Sequence, residues 1–279
     1  MNAVKDPASA GETAAARMPA LYIPHGAGPC FFMDWTPRDT WTCMGEFLRG
    51  AMSSLPRKPS AILMVSAHWE MPQYTVGSGQ RPGLLFDYSG FPPHTYELRY
   101  APSGSPALAT RVRALLAAAG LPNDEDPERA YDHGMFIPLL LMAPEADIPV
   151  VQLSVRAGLD AREHEAVGNA LTPLRDDGVF IVGSGMSFHN MRGYGDARFG
   201  PISDRFDAWL TETVGMADAA KRADALARWD VHPDGRLSHP REEHLIPLMV
   251  VAGSAGDVAG RRVFSGRVME TTVSAFQFG

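Results

Sequence analysis

Nine histidines are spread along the chain, and three of them follow short apolar runs directly. His25 closes Tyr22-Ile23-Pro24-His25-Gly26, and His68 closes Val65-Ser66-Ala67-His68 ahead of Trp69-Glu70. His189 lies just past another such run, in Gly183-Ser184-Gly185-Met186-Ser187-Phe188-His189-Asn190. An imidazole titrates near neutral pH, ligates transition metals when neutral and passes protons. A lone histidine after a strand is more often a satisfied polar residue than a ligand. Three at equivalent places favour a shared site, for metal binding or acid–base work. The neighbouring Gly26, Gly28, Gly183 and Gly185 allow backbone turns, although turns call for glycine anyway.

Two further histidines join this group. His244 stands in Ser238-His239-Pro240-Arg241-Glu242-Glu243-His244-Leu245-Ile246-Pro247-Leu248. Pro240 suits the first turn of a helix, with Ser238 or His239 as its cap. His244 is then expected near the start of a short helix, and either it or Glu243 could reach a metal. Glu242 reads as a solvated acid at a helix N-terminus. His133, in Tyr131-Asp132-His133-Gly134, follows an aspartate that reads as a helix cap, and nothing in its own surroundings suggests packing. His94, His164 and His232 sit in polar or helical surface contexts and receive no role, and His239 reads as structural.

The elements that must carry these groups alternate along the chain. Ala20–Pro24, Ala61–Ser66, Pro149–Leu153 and Gly178–Gly183 are apolar on both faces, the mark of strands covered on both sides. Between them, Pro106–Ala119, Ala161–Arg175, Ser203–Val214 and Lys221–Trp229 have helical composition, and Gly120 suits a stop. The expected fold is α/β: a single domain with a mainly parallel central sheet covered by helices on both faces. The tail over 262–278 alternates loosely and is expected to add an edge strand. In such sheets ligands bind at the carboxyl ends of the strands, where His25, His68 and His189 are delivered.

The bulk numbers narrow the partners. The chain has 279 residues, 45% of them hydrophobic and 20% charged, with a formal net charge of -7 and no basic run. That balance argues against nucleic acid and favours a small-molecule partner. No apolar stretch is long enough for a membrane span. Residues 1–17 are small and polar, without the apolar core of a secretory signal, and read as a flexible leader before a domain over 18–279. Two cysteines, Cys30 and Cys43, cannot form a disulfide framework; free thiols in a reducing, cytoplasmic setting are the simplest reading, with a single bridge the alternative.

In this order, the motifs resemble the class III extradiol ring-cleavage dioxygenases, in the branch typified by DOPA extradiol dioxygenase. The carriers are Met18-Pro19-Ala20-Leu21-Tyr22-Ile23-Pro24-His25-Gly26, Ser66-Ala67-His68-Trp69-Glu70, Asp87-Tyr88-Ser89-Gly90-Phe91-Pro92 and Tyr131-Asp132-His133-Gly134. Later come the stretch from Ala146 to Ser154, Gly183-Ser184-Gly185 with His189-Asn190, and Glu243-His244 before Pro247-Leu248. Each is weak alone, but the ordered set is specific. The resemblance implies metal ligation by His25, His68 and His244, an acid/base role for His189, and His133 as a second donor in the pocket. Larger relatives use two histidines and a glutamate; here the third position falls at Glu243-His244, so an all-histidine set with Glu243 nearby is implied. A second departure is Ala27-Gly28-Pro29-Cys30, where relatives often carry Gly-Ser-Pro, at the expected pocket entrance.

The implied chemistry explains the parts. Opening an aromatic diol with dioxygen calls for a metal, here Fe(II), with three protein ligands on one face and open positions opposite. The diol must lose protons and an oxygenated intermediate must regain one, which suits His189. Phe86, Tyr88, Phe91 and Tyr96 could wall a ring or simply pack. Arg99 and Arg192 could meet a substrate carboxylate or simply face water. Zinc binds such donors more tightly than Fe(II) and is expected to occupy the site readily in purified protein. Two alternatives stay open at this level: a zinc-dependent hydrolase with Glu243 as its base, lacking a His-Glu-x-x-His helix, and a non-catalytic metal-binding protein. The diol, the position of cleavage and the oligomeric state are equally open.

Overall fold

Apolar runs with no polar face become the middle of a sheet, because helices cover both of their sides. The computed structural model describes residues 16–279, so most of the leader expected over 1–17 lies outside the described residues. The strands are β1 (Ala20–Pro24), β2 (Ala61–Met71), β3 (Tyr74–Gly77), β4 (Asn123–Asp126), β5 (Val150–Arg156), β6 (Val179–Gly185), β7 (Gly260–Val268) and β8 (Thr271–Phe278). They form one eight-stranded sheet in the order β4-β3-β5-β2-β6-β1-β8-β7.

β5, β2, β6 and β1 run parallel and correspond to the four apolar runs. The flanks turn the other way: β8 is antiparallel to β1 and β7 to β8, while β3 is antiparallel to β5 and carries β4 parallel to itself. The sheet is therefore mixed around a parallel centre. The tail forms a two-strand hairpin rather than one edge strand. Its turn is Met269-Glu270, both at positive φ (44° and 70°), the twist that two-residue hairpins need.

The helices are α1 (Thr42–Ala51), α2 (Pro106–Ala118), α3 (His133–Met142), α4 (Ala161–Leu171), α5 (Pro173–Asp176), α6 (Gly200–Val214), α7 (Ala219–Ala227), α8 (Gly235–Ser238) and α9 (Ile246–Gly253). Alternate strand residues divide between two cores. Tyr22, Leu63, Val65 and Ile181 pack with α2, α4, α6, α7 and α9. Ile23, Met64, Phe180 and Val182 pack with α1 and α3 on the opposite face. The helix expected over Ala161–Arg175 breaks at Thr172, because Pro173 has no N–H to continue it.

Arg175, just after that break, ties the sheet's margin together. Its buried guanidinium donates to Met18 O at 2.7 Å, Ser254 O at 2.8 Å and Phe278 O at 3.1 Å, joining the entry to β1, the end of α9 and the end of β8. Cys30 is buried, Cys43 is exposed, and both are free thiols, as expected. No helix among the described residues is long and apolar enough to cross a membrane.

Candidate metal centre and active site

His25 leaves β1 at its carboxyl end, where its backbone N–H donates to Gly185 O at 3.0 Å. The chain then turns at Gly26, whose φ of +88° a side chain would resist. His25 Nδ1 lies 3.0 Å from Ser184 Oγ. That hydroxyl donates its own proton to Gly134 O, so at His25 it accepts. Nδ1 therefore carries the hydrogen and Nε2 presents a lone pair.

His68 lies within β2 rather than after it. β2 pairs with β5 up to Ser66↔Ser154 and resumes at Glu70↔Val155, and His68 sits in the bulge between. Its Nε2 is 3.0 Å from His25 Nε2.

His244 arrives differently from the expectation. The helix starts at Ile246, not at Pro240, so His244 lies on the irregular segment ahead of it. Its carbonyl accepts from Tyr22 Oη at 2.7 Å and Met186 N at 3.1 Å, which anchors the segment across the ends of β1 and β6. Gly185 is there for close approach rather than for a turn: a Cβ on it would lie 2.0 Å from His244 O. His244 Nδ1 donates to Glu243 Oε1 at 3.0 Å, leaving Nε2 free.

One donor atom from each of His25, His68 and His244 lies within 4.8 Å of the others. Two imidazole nitrogens each about 2.1 Å from one ion at right angles stand about 3.0 Å apart, which matches the spacing between His25 and His68. The donor set fits a divalent transition metal. Two other close groupings, His68–Asp87–His133 and His189–Glu243–His244, are each built around a carboxylate that faces ring Nδ1 atoms. In each, one imidazole hydrogen-bonds to the carboxylate, His133 to Asp87 and His244 to Glu243, which accounts for the core of the grouping without an ion.

The remaining two imidazoles flank the triad. His189 stacks on His244 with ring centroids 3.4 Å apart and 14° between planes, its Nδ1 3.5 Å from Glu243 Oε1. His133 opens α3, and both its backbone N (2.9 Å) and its Nδ1 (2.8 Å) donate to Asp87 Oδ1. Asp87 Oδ2 is also 4.0 Å from His68 Nδ1. Each carboxylate thus stands between one imidazole of the triad and one outside it. Asp132 occupies the cap position of α3 but makes no side-chain capping bond, contrary to expectation, since its carboxylate is engaged elsewhere.

Burial, reinforced by the neighbouring imidazoles, holds His25 and His68 well below their ordinary pKa. Burial lowers His244 to about 4 despite Glu243 beside it. Burial pushes the Glu243 carboxyl up, but the adjoining His189 and His244 outweigh it and hold it well below the usual range. Neutral imidazoles with free lone pairs beside an ionised carboxylate are what a cation requires.

These groups open onto a cavity of about 190 Å³ floored by the five imidazoles and walled by Tyr88, Phe91, Met191 and Tyr194. Of the four aromatics that could wall a ring or simply pack, Phe86 and Tyr96 stand behind Tyr88, at 5.9 and 5.2 Å between ring centroids. Ala27 and Gly28 face the cavity, whereas Cys30 is buried away from it. Arg99 and Arg192 are exposed and do not line it. His164 is not at the surface as expected: it is buried, its Nε2 accepting from Arg156 N at 3.0 Å. His239 is buried with Nε2 donating to Ser187 O at 3.0 Å, a structural role. Nothing in residue type or spacing gives Asp87, Ser184, Met191 or Tyr194 a part in the site. Asp87 heads one of the recurring motifs, and that was its only signal.

The family described as the catalytic LigB subunit of aromatic ring-opening dioxygenase matches residues 19–276. Relatives named 4,5-DOPA dioxygenase extradiol are similar along most of the chain. That of Beta vulgaris is 42% identical over 206 residues, covering 72% of this chain and 75% of its own length. That of Portulaca grandiflora is 40% identical over 245 residues, covering 85% and 86%. That of Escherichia coli (strain K12) is 35% identical over 245 residues, covering 85% of each. Among solved structures, an uncharacterized protein from Escherichia coli K12 superposes with a TM-score of 0.75 at 31% identity, covering 94% of this chain and 100% of that one.

Proposed function

The chain belongs to the family of the catalytic LigB subunit of aromatic ring-opening dioxygenase and is an extradiol ring-cleavage dioxygenase of the DOPA-dioxygenase-like branch; from that premise we propose that it opens a catechol-type ring using Fe(II) held by His25, His68 and His244. The observation that carries this is the convergence of those three side chains, with the Nδ1 protons of His25 and His244 tied away by Ser184 and Glu243. Such tethering fixes the tautomer and ring angle of a ligand. Fe(II) bound there would supply adjacent open positions for the diol and dioxygen.

The other residues do the proton work and the positioning. His189, beside Glu243, takes a proton from the diol as it binds and returns one later. His133 keeps its Nδ1 proton on Asp87, so its Nε2 accepts when the ring is neutral and donates only when the ring carries a second proton. Asp87 fixes the angle of that ring, and His133 is the second donor in the pocket. Tyr88 and Phe91 hold the ring against the imidazole floor and exclude water from it. Residues 18–279 form the catalytic domain. A reducing cytoplasm would keep Fe(II) and the thiols of Cys30 and Cys43 reduced. Zn(II) would fill the same donors in protein isolated without iron.

The test is to load metal-free protein with Fe(II) without oxygen, add a panel of catechols, then admit oxygen and follow its uptake and the yellow ring-opened product. Uptake matched to product supports the reading. No uptake with any diol would sink it.

A further inference from the structure

His68 lies on the one irregular stretch of β2. Ala67, His68 and Trp69 fall between the last regular pair, Ser66↔Ser154, and the next, Glu70↔Val155. A bulge lacks the ladder bonds that hold a regular strand, so something else must fix the imidazole. Both flanks of the bulge touch one ion pair, its carboxylate fully buried and its guanidinium 15% exposed. The Asp132 carboxylate, fully buried, accepts from Ser66 Oγ at 2.7 Å, from Arg129 Nη2 at 2.7 Å and from Gln152 Nε2. Ser66 Oγ in turn accepts from His68 N at 3.2 Å. On the other side, the Arg129 guanidinium lies over the Trp69 ring, 4.6 Å from its centroid. Asp132 thus grips the residue before the bulge and Arg129 the residue that closes it. The carboxylate also gives up capping α3, the helix that begins with His133.

We propose that Asp132, acting through Ser66 and Arg129, is a positioning residue that fixes the His68 imidazole in its metal-holding orientation. The proposal rests on the reading of His68 as a ligand. Buried ion pairs contribute little to stability compared with an apolar replacement of the same shape, but they can enforce one arrangement. The arrangement enforced here is the path of the chain between Ser66 and Glu70. Second partners of this kind typically change metal affinity by about 10–100-fold when removed.

Co(II) alone is the probe, titrated into the full-length metal-free protein and followed by its visible absorption bands. Asp132→Asn places an amide against the Arg129 and Gln152 donors. Ser66→Ala removes only the hydroxyl between Asp132 and His68, and it decides the matter if Asp132→Asn does not fold. Both should weaken Co(II) binding by about tenfold or more and shift the bands. Exchanging the partners, Asp132→Asn together with Gln152→Glu, should recover most of the affinity. His68→Ala separates the premise from the proposal. Unchanged Co(II) affinity in His68→Ala overturns the ligand reading itself. Lost affinity in His68→Ala, with native affinity and bands in folded Asp132→Asn and Ser66→Ala, overturns the positioning role alone.

Discussion

The rings of His189 and His244 are stacked, 3.4 Å between centroids and 14° between planes, although their side chains reach the site from different segments. Only His244 gives its Nδ1 proton to Glu243 within hydrogen-bond distance, at 3.0 Å, so its orientation does not depend on His189. His189→Ala should therefore keep the metal while turnover falls by about 10²–10⁴-fold, the usual worth of a positioned acid/base group. Metal content and kcat measured on one preparation check this. Loss of the metal would make His189 a ligand instead.

Asp87 holds His133 through two hydrogen bonds to one oxygen, 2.9 Å from the backbone N and 2.8 Å from Nδ1. Asp87→Ala frees that ring to take the other tautomer and a different angle. Turnover should fall by at least about tenfold while the iron stoichiometry stays unchanged. An unaltered kcat would show that His133 takes no part in the reaction.

How far the site could be read in advance varies from residue to residue. His25, His68 and His189 were legible because each follows an apolar run, and the ends of parallel strands gather on one edge of a sheet. His244 was legible as a residue but not in its setting, since Pro240 looks like a helix start and the helix begins only at Ile246. Glu243 and Asp87 were not legible as bridges, because each faces an imidazole brought near by folding over long separations: 54 residues for Glu243 and His189, 46 for Asp87 and His133 (243 − 189; 133 − 87). Elements carried by tertiary contact were equally hidden. β4 is Asn-Asp-Glu-Asp, residues depleted in strands, and it exists only by pairing with β3. α1 contains Gly45 and Gly50 and depends on burying Met44 and Leu48.

Arg175 is 1% exposed and satisfies three backbone carbonyls at once. Arg175→Leu leaves those acceptors buried without a donor, a loss of about 3–5 kcal/mol. Arg175→Lys keeps part of the bonding and should cost less. Urea midpoints rank the three proteins; equal midpoints would mean that the carbonyls find other donors.

His239 is buried against Phe206 and Trp229, and burial lowers its pKa to about 3. Above pH ~6.5, the ordinary imidazole value, both folded and unfolded forms are neutral and its contribution is complete. As the pH falls below that value the unfolded chain binds the proton first, so stability declines by about 1.4 kcal/mol per pH unit until the folded pKa is reached. His239→Gln keeps a donor for Ser187 O and cannot titrate. Metal-free His239→Gln should lose less stability between pH 7.5 and pH 5 than the native chain, as measured by urea unfolding at both values. Parallel losses would assign that acid sensitivity to other groups.

One cation shared by residues from three distant segments is central to the proposed chemistry. Crystals of Fe(II)-loaded protein measured at the iron absorption edge locate that ion directly. The expected result is a single iron peak about 2.1 Å from Nε2 of His25, His68 and His244, with Glu243 and Asp87 outside bonding distance. A peak bonded instead to His189 and Glu243, or to Asp87 and His133, would contradict it.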